Sequence, residues 1–287
     1  EVGAERAQTI LDSNLALGLL SGSEAPSQAF GGLSPVNIPN ANTRVEEVRY
    51  EPFAIHNWRI SPRMSLETSL VYEASEISMS GDVSNSRDFN FFKPKLDYRF
   101  DVTPQLQLRV LIEKVVRQLS FTDFVATSDQ DDEDSNTLAG NSNLRPDYWW
   151  NYNLLAEYRL PDDQGVVSAN FYHHRHKDLL QRIDVSPGPN DLRSAAGNIG
   201  TGDMHVFEVK GSVRLSRLGM PNVLFTTSAN VRDSWVTDSF LNETRRFNNY
   251  HRGEFNWGFR HDIPQWRLNY GIEMRNRIDG GTKRWDI

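Results

Sequence analysis

Residues 92–116 carry the clearest pattern of apolar and polar positions in the chain. Phe92, Pro94, Leu96, Tyr98, Phe100 and Val102 occupy one parity, and Lys93, Lys95, Asp97, Arg99 and Asp101 the other. Beyond Thr103 and Pro104 the alternation resumes, with Leu106, Leu108, Val110 and Ile112 against Gln105, Gln107, Arg109 and Glu113. Period two on both sides of a turn predicts a β-hairpin. Soluble strands run to about five or six residues, whereas these continue for roughly ten or more. At about 3.3 Å of rise per residue and a tilt near 45°, that length crosses the apolar layer of an outer membrane.

The rest of the chain extends the pattern. Residues 7–19 fit a strand, with a helix as the alternative because Asp12 and Asn14 interrupt an otherwise apolar stretch. Residues 20–42, rich in Gly, Ser, Pro and Asn, read as a long loop. Residues 45–60 form a strand candidate whose facing stays open. Val48, Tyr50, Ala54, Trp58 and Ile60 share one parity, but Phe53 and Ile55 lie on the other. After a tight turn at Ser61 and Pro62, the residues Met64, Leu66, Thr68, Leu70, Tyr72 and Ala74 oppose Ser65, Glu67, Ser69, Glu73 and Ser75. Residues 78–88 and roughly 118–147 are expected as polar loops.

Downstream, Trp150, Tyr152, Leu154, Ala156, Tyr158 and Leu160 share a face, and a turn at residues 161–165 leads to Val167, Ala169 and Phe171. A loop to about residue 203 precedes two more hairpins. The first joins Phe207, Val209, Val213 and Leu215 to Val223, Phe225, Ala229 and Val231, and residues 233–253 then read as a loop. The second joins Phe255, Trp257 and Phe259 to Trp266, Leu268, Tyr270, Ile272 and Met274.

Two regularities unite these elements. Short and long connections alternate, which matches short periplasmic turns and long extracellular loops. Aromatic residues gather at two levels: Trp58, Tyr98, Phe100, Tyr158 and Trp266 near the tight turns, and Tyr72, Phe92, Trp150 and Tyr152 near the far ends. Such girdles mark the two interfaces of a membrane barrel. The expected fold is therefore all-β, an antiparallel up-and-down transmembrane β-barrel, present as about eleven strands in one domain over residues 1–287. An odd count leaves an open edge, and bacterial single-chain barrels are even, so the set is expected to be an incomplete, internal or C-terminal portion of a barrel without its final strands.

Composition changes this picture little. A mean hydropathy of −0.57 fits a soluble domain, and fits equally a barrel whose lumen face is polar. No run of about eighteen apolar residues exists, which excludes spanning helices and leaves a closed barrel as the membrane option. The chain has no cysteine, which suits passage through an oxidising compartment and is common elsewhere too. A formal net charge of −7, with arginines spread singly, argues against nucleic acid as a partner. The first residues form no secretion signal, as expected if one has been removed or if this is an internal piece.

Residues 141–160 read NSNLRPDYWWNYNLLAEYRL. This stretch resembles the N-P-x-L-x-P-E-x-S-x-x-Y-E signature of TonB-dependent receptors, matched by Asn143, Leu144, Arg145, Pro146 and Tyr152. Ser142, Asp147, Trp149 and Asn153 depart from it. Residues 92–125, ending in Arg117, Gln118, Leu119, Ser120, Phe121, Thr122, Asp123 and Phe124, resemble the barrel segment just upstream. The resemblance implies a barrel of twenty-two strands in the outer membrane of a Gram-negative bacterium, with a plug domain inside it and energy delivered by the TonB complex. It also implies import of a scarce small-molecule ligand bound at extracellular loops, a siderophore–iron complex or a saccharide. No plug is visible in this sequence.

Lys93, Lys95, Asp97, Arg99, Arg109, Glu113, Glu157, Arg159, Lys210, Arg214, Arg260, Arg267, Glu273 and Arg275 are expected on the lumen side, pairing across a wet interior and packing against the plug. Asp97→Asn is expected to be mild there, and a charge at lipid-facing Leu96 costly. Asp129, Asp131, Asp132, Glu133 and Asp134 offer clustered carboxylates but lack the Gly and distal Glu of a calcium loop, so they read as a solvated loop. His173, His174 and His176 are metal-ligating types, yet successive strand residues point to opposite faces. Among the tryptophans, Trp150, Trp257 and Trp266 read as interface anchors, and Trp149 and Trp235 as candidates to stack on a ligand. No catalytic, cofactor or metal site is expected, and no particular substrate-binding residue emerges. Nucleophile-elbow, phosphate-loop and His-metal motifs are absent. A passive porin-like barrel and a soluble β-rich binding module stand as alternatives.

Overall fold

The computed structural model describes residues 1–20, 24–36, 41–128, 137, 138, 140–186, 188, 193–248 and 251–278. Among them, eleven long strands follow one another: β1 (Val2–Asn14), β2 (Asn42–Ser61), β3 (Met64–Gly81), β4 (Asn85–Asp101), β5 (Leu106–Val116), β6 (Tyr148–Leu160), β7 (Gly165–Lys177), β8 (Gly202–Arg214), β9 (Val223–Asp238), β10 (Gly253–Ile263) and β11 (Leu268–Ile278). Each is hydrogen-bonded antiparallel to the next in sequence, giving one continuous meander with β1 and β11 at its edges. A short strand, Glu243–Arg245, pairs with the far end of β9.

Register makes the two faces chemically distinct. Trp58, Leu66, Tyr98, Val110, Leu154, Phe171, Phe207 and Val231 are successive cross-strand partners on eight strands, forming an unbroken apolar row. Most of this outer face is exposed, including Trp58, Leu154, Phe171, Phe207 and Val231. Exposed apolar area on that scale is what lipid covers. The opposite, inner face is polar at the tight-turn end and covered by folded loops at the other.

The expected hairpin over residues 92–116 is present, and its turn is closed by Thr103, whose Oγ1 accepts the backbone N–H groups of Gln105 (3.2 Å) and Leu106 (2.9 Å). Gly165, after the β6–β7 turn, has φ 140°, and a Cβ there would lie 1.9 Å from the Ser212 carbonyl oxygen. Only glycine lets β7 start this close to β8.

Several expectations change. The stretch 7–19 is not helix, but its strand β1 runs from Val2 only to Asn14, and Leu17–Leu19 is a separate short strand paired with Ser34–Val36. In β2, Tyr50, Trp58 and Ile60 face outward, while Phe53 faces inward and its ring fills the space over Gly3. Residues 78–88 are mostly strand, because β3 runs to Gly81 and β4 starts at Asn85. The alternation of short and long connections fails at that point. The reason is that Ile77 and Met79, on the inner parity, bury against the loops, so the pairing continues past the apolar band. β9 likewise extends to Asp238 because Val236 is fully buried. Trp266 and Arg267 lie in the one-turn 3-10 segment Pro264–Trp266 and its left-handed cap (Arg267 φ 50°), so Arg267 belongs to a turn and not to the lumen wall.

The core sits where the long connections fold onto the inner face. Leu119, Phe124, Val125 and Leu144 pack against Val45, Ile77 and Met79 of the wall. Leu179, Ile183, Ala195, Ile199 and Phe247 pack against Met204, Val206 and Val236. Four short strands from these loops, Thr127–Ser128, Thr137–Leu138, Leu180–Asp184 and Arg193–Asn198, form a small sheet within this cap.

Candidate functional site

Two features of the inner face could act on a solute, the ionised wall of β2–β6 and the loop cap above it. On the wall, Arg49 reaches Glu47 (3.7 Å) and Glu51 (3.1 Å), and Lys93 bridges Glu51 and Glu73 (2.8 Å to Glu73). Lys95 pairs with Glu67 at 2.9 Å, and Arg109 grips Asp97 with both Nε (2.7 Å) and its terminal nitrogen. Gln118 donates to Glu73 and Asn151 to Glu113. Glu47, Glu73 and Asp97 are buried, so these carboxylates are satisfied inside the structure and not by water. Part of this network was legible by parity, namely Lys93, Lys95, Asp97 and Arg109. Glu47, Arg49 and Glu51 were missed because Phe53 and Ile55 obscured the facing of their strand.

Along β7–β11 the inner face has another character. A groove of about 960 Å³ is lined by Ser168, Ser212, Thr226, Ser228 and Asn256, with Lys210, Glu254, Glu273 and Arg275 among its charges. Glu157, Arg159, Arg214 and Arg260 also lie on this inner parity, as their cross-strand partners Ser168, Val166 and Leu224 show. Short hydroxyl and amide side chains leave space that the longer ion pairs of β2–β5 occupy.

The signature-like segment staples the cap to the wall. Leu144 is fully buried, and its carbonyl accepts from Arg87 of β4 (2.8 Å), while that of Ser142 accepts from Asn85 (3.0 Å). Asn141 donates to the Ala196 carbonyl at 2.9 Å. Arg145 binds Asp178 (2.7 Å) and exchanges backbone hydrogen bonds with the Asn198 side chain. Asp147, with no exposed side-chain area, meets His176 Nδ1 at 3.2 Å and Arg117 at 3.6 Å. Trp149 stacks on His176 at 5.0 Å and has the Arg117 guanidinium over its ring at 5.9 Å, so it belongs to the junction of wall and cap.

The remaining candidates separate. His173 faces outward, stacked between Tyr152 (5.8 Å) and His205 (4.3 Å), whereas His174 and His176 face inward. Trp235 shares the outward parity and stacks on His205 at 5.0 Å, which places it with the interface aromatics and away from the inner face. Asp129, Asp131, Asp132, Glu133 and Asp134 lie outside the described residues.

Burial raises the pKa of Asp123, in the cap segment Phe121–Asp123, above the usual carboxylate range, and Arg117 opposes that shift. A raised native pKa means the folded state holds this proton more tightly, so stability from this group is greatest at low pH and falls as pH rises through the raised value. Limited proteolysis of the cap across this range is expected to show protection declining with pH, and Asp123→Asn is expected to flatten that trend.

Comparison with solved structures places this architecture. The chain is similar to the alcaligin outer-membrane receptor FauA from Bordetella pertussis, with a TM-score of 0.55 and 14% identity over 84% of this chain and 39% of that one. It is similar to the ferric-catecholate import receptor Fiu from E. coli K12 in its closed form, with a TM-score of 0.63 and 9% identity over 97% of this chain and 42% of that one. The siderophore receptor PiuA from Acinetobacter baumannii gives 0.56 and 12% over 85% and 34%. The chain thus spans well under half the length of each of these proteins, and identities this low bear on fold alone. Comparison with curated proteins gives no sequence match. The family model described as TonB dependent receptor-like, beta-barrel, matches residues 7–286. With its eleven-stranded meander, apolar outside and ionised inside, this chain belongs to the TonB-dependent receptor β-barrel family.

Proposed function

We propose that the chain forms part of the wall of an outer-membrane receptor that imports a scarce ligand by TonB-coupled transport, and that it has no enzymatic role. The observation that carries this reading is the sheet itself: one face exposes an unbroken apolar row, and the other holds a charged network suited to a water-filled or plugged interior. Ferric siderophores are the favoured ligand class, because PiuA is described as a siderophore receptor and Fiu as a ferric-catecholate import receptor. Under this reading residues 1–287 act as one unit of barrel wall. A plug domain elsewhere in the whole protein packs against the inner face and receives the TonB contact, and the loop cap meets the ligand from outside the cell.

The test uses the intact receptor in iron-limited cells supplied with radio-iron catecholate and hydroxamate chelates. Uptake that needs the receptor and stops when TonB is deleted is the expected result. Receptor-dependent entry that persists without TonB would point to a passive pore, and recovery of the protein in the detergent-free soluble fraction would point to a soluble module.

A further inference from the structure

The outer face carries three cations that the apolar-wall reading does not use. Lys114 of β5 and Arg175 of β7 flank Trp150 of β6 as cross-strand partners, and Lys177 flanks Tyr148 one pleat further from the tight turns. All share the parity of Ile112, Leu154 and Phe171, the face that meets lipid. Arg175 and Lys177 are exposed. Among the described residues none of the three has a carboxylate within ion-pair distance. Asp203, beside Arg175 in register, instead faces His173 at 3.4 Å, and Asp178 is held by Arg145. Lys114 lies between two rings, over Tyr148 at 4.3 Å and Phe91 at 5.3 Å.

Position gives the cluster its meaning. Immediately on the tight-turn side runs an aromatic row of Tyr152, His173, His205 and Trp235, in which successive rings stack at 5.8, 4.3 and 5.0 Å. Such a row marks the boundary between acyl chains and headgroups. From Tyr158 to Trp150 the strand covers about nine residues, enough for the apolar layer, so the cations stand at headgroup level on the long-loop side. With strands about 4.8 Å apart, Lys114 and Arg175 are roughly 10 Å from each other, a span that suits a phosphorylated headgroup.

We propose that Lys114, Arg175 and Lys177 bind the phosphate of an anionic lipid headgroup in the outer leaflet. Cations that find no carboxylate partner at this depth gain by pairing with lipid phosphate, and the adjacent rings seat the upper part of its acyl chains. The site rests on the outer-membrane reading of the chain.

The test places the purified intact receptor in phosphatidylcholine nanodiscs containing a minority of lipid A, and counts retained lipid A by native mass spectrometry. The triple variant K114Q/R175Q/K177Q is expected to retain it about fivefold less tightly per charge removed. The charge-preserving variant K114R/R175K/K177R is expected to behave as the wild type, which separates lost charge from lost folding. Equal retention by the wild type and the glutamine variant would overturn the proposal, as would displacement of lipid A by inorganic phosphate alone, which would make this a free-anion site. Failure of the wild-type receptor to enter the bilayer would overturn the outer-membrane reading as well, and insertion is scored independently of the lipid count.

Discussion

Asp238→Ala is expected to destabilise the junction between wall and cap by about 3–5 kcal/mol, the cost of leaving a buried charge without its partner. Asp238 and Arg245 have only 1% and 6% of their side chains exposed and meet at 2.8 Å. The remaining acceptors around Arg245 are neutral: Gln181 Oε1, Asn248 Oδ1 and the Arg246 carbonyl. Asp238 also accepts the backbone N–H groups of Phe240 and Leu241, fixing the turn beyond β9. Asp238→Asn keeps the acceptor for that turn but not the charge, and should fall between the wild type and the alanine variant. Thermal unfolding combined with limited proteolysis of residues 239–248 measures both. An alanine variant as resistant as the wild type would show that this loop holds without the pair.

Leu96→Arg is expected to cost about 2–4 kcal/mol of folding free energy in a bilayer, as befits an arginine near the midplane on the lipid face. Leu96 is the middle member of the outward series Phe92, Pro94, Leu96, Tyr98 and Phe100, and its cross-strand neighbours are Thr68 and Ile112. The adjacent Asp97 gives a different result from the one its alternating pattern suggested. A solvated lumen carboxylate would tolerate Asp97→Asn, but Asp97 is 8% exposed and held by both donor atoms of Arg109. Because Arg109 is itself partly exposed, the amide should cost a more modest 1–2 kcal/mol, roughly one charge-assisted hydrogen bond. Urea-dependent folding into lipid vesicles, followed by the heat-dependent gel shift, ranks the two substitutions. If Leu96→Arg were no worse than Asp97→Asn, the assignment of inside and outside would be reversed.

Most of the wall was legible in the sequence, because a two-sided environment stamps period two onto every strand that crosses it. Leu106 to Ile112 and Tyr152 to Tyr158 have their facing written residue by residue. Legibility ended where the environment changed. Above the apolar band, Ile77, Met79 and Val236 turn inward to a dry core made by distant loops, so their strands run beyond the point where polar residues suggested a stop. The facing of β2 was hidden because Phe53 packs over a glycine of its neighbour, a contact 50 residues away in sequence that no local pattern records. The cap was the least legible part. Its pairs, Asp147 with His176 and Asp238 with Arg245, join residues whose neighbours in sequence carry no common periodicity.

Under the proposed receptor function, the stapling of the cap bears on recognition. Asn141, Arg145 and Asn198 tie the connection after β5 to the connection after β7, and both to the edge of β4 through Asn85 and Arg87. Loops fastened in this way act as one preformed mould and not as separate fingers. A guest that fits the mould has little loop entropy left to quench on arrival, and one that does not fit must first break several mutually supporting hydrogen bonds. Discrimination of that kind rests on rigidity, so substitutions far from any contact with the guest should loosen selectivity before they weaken binding.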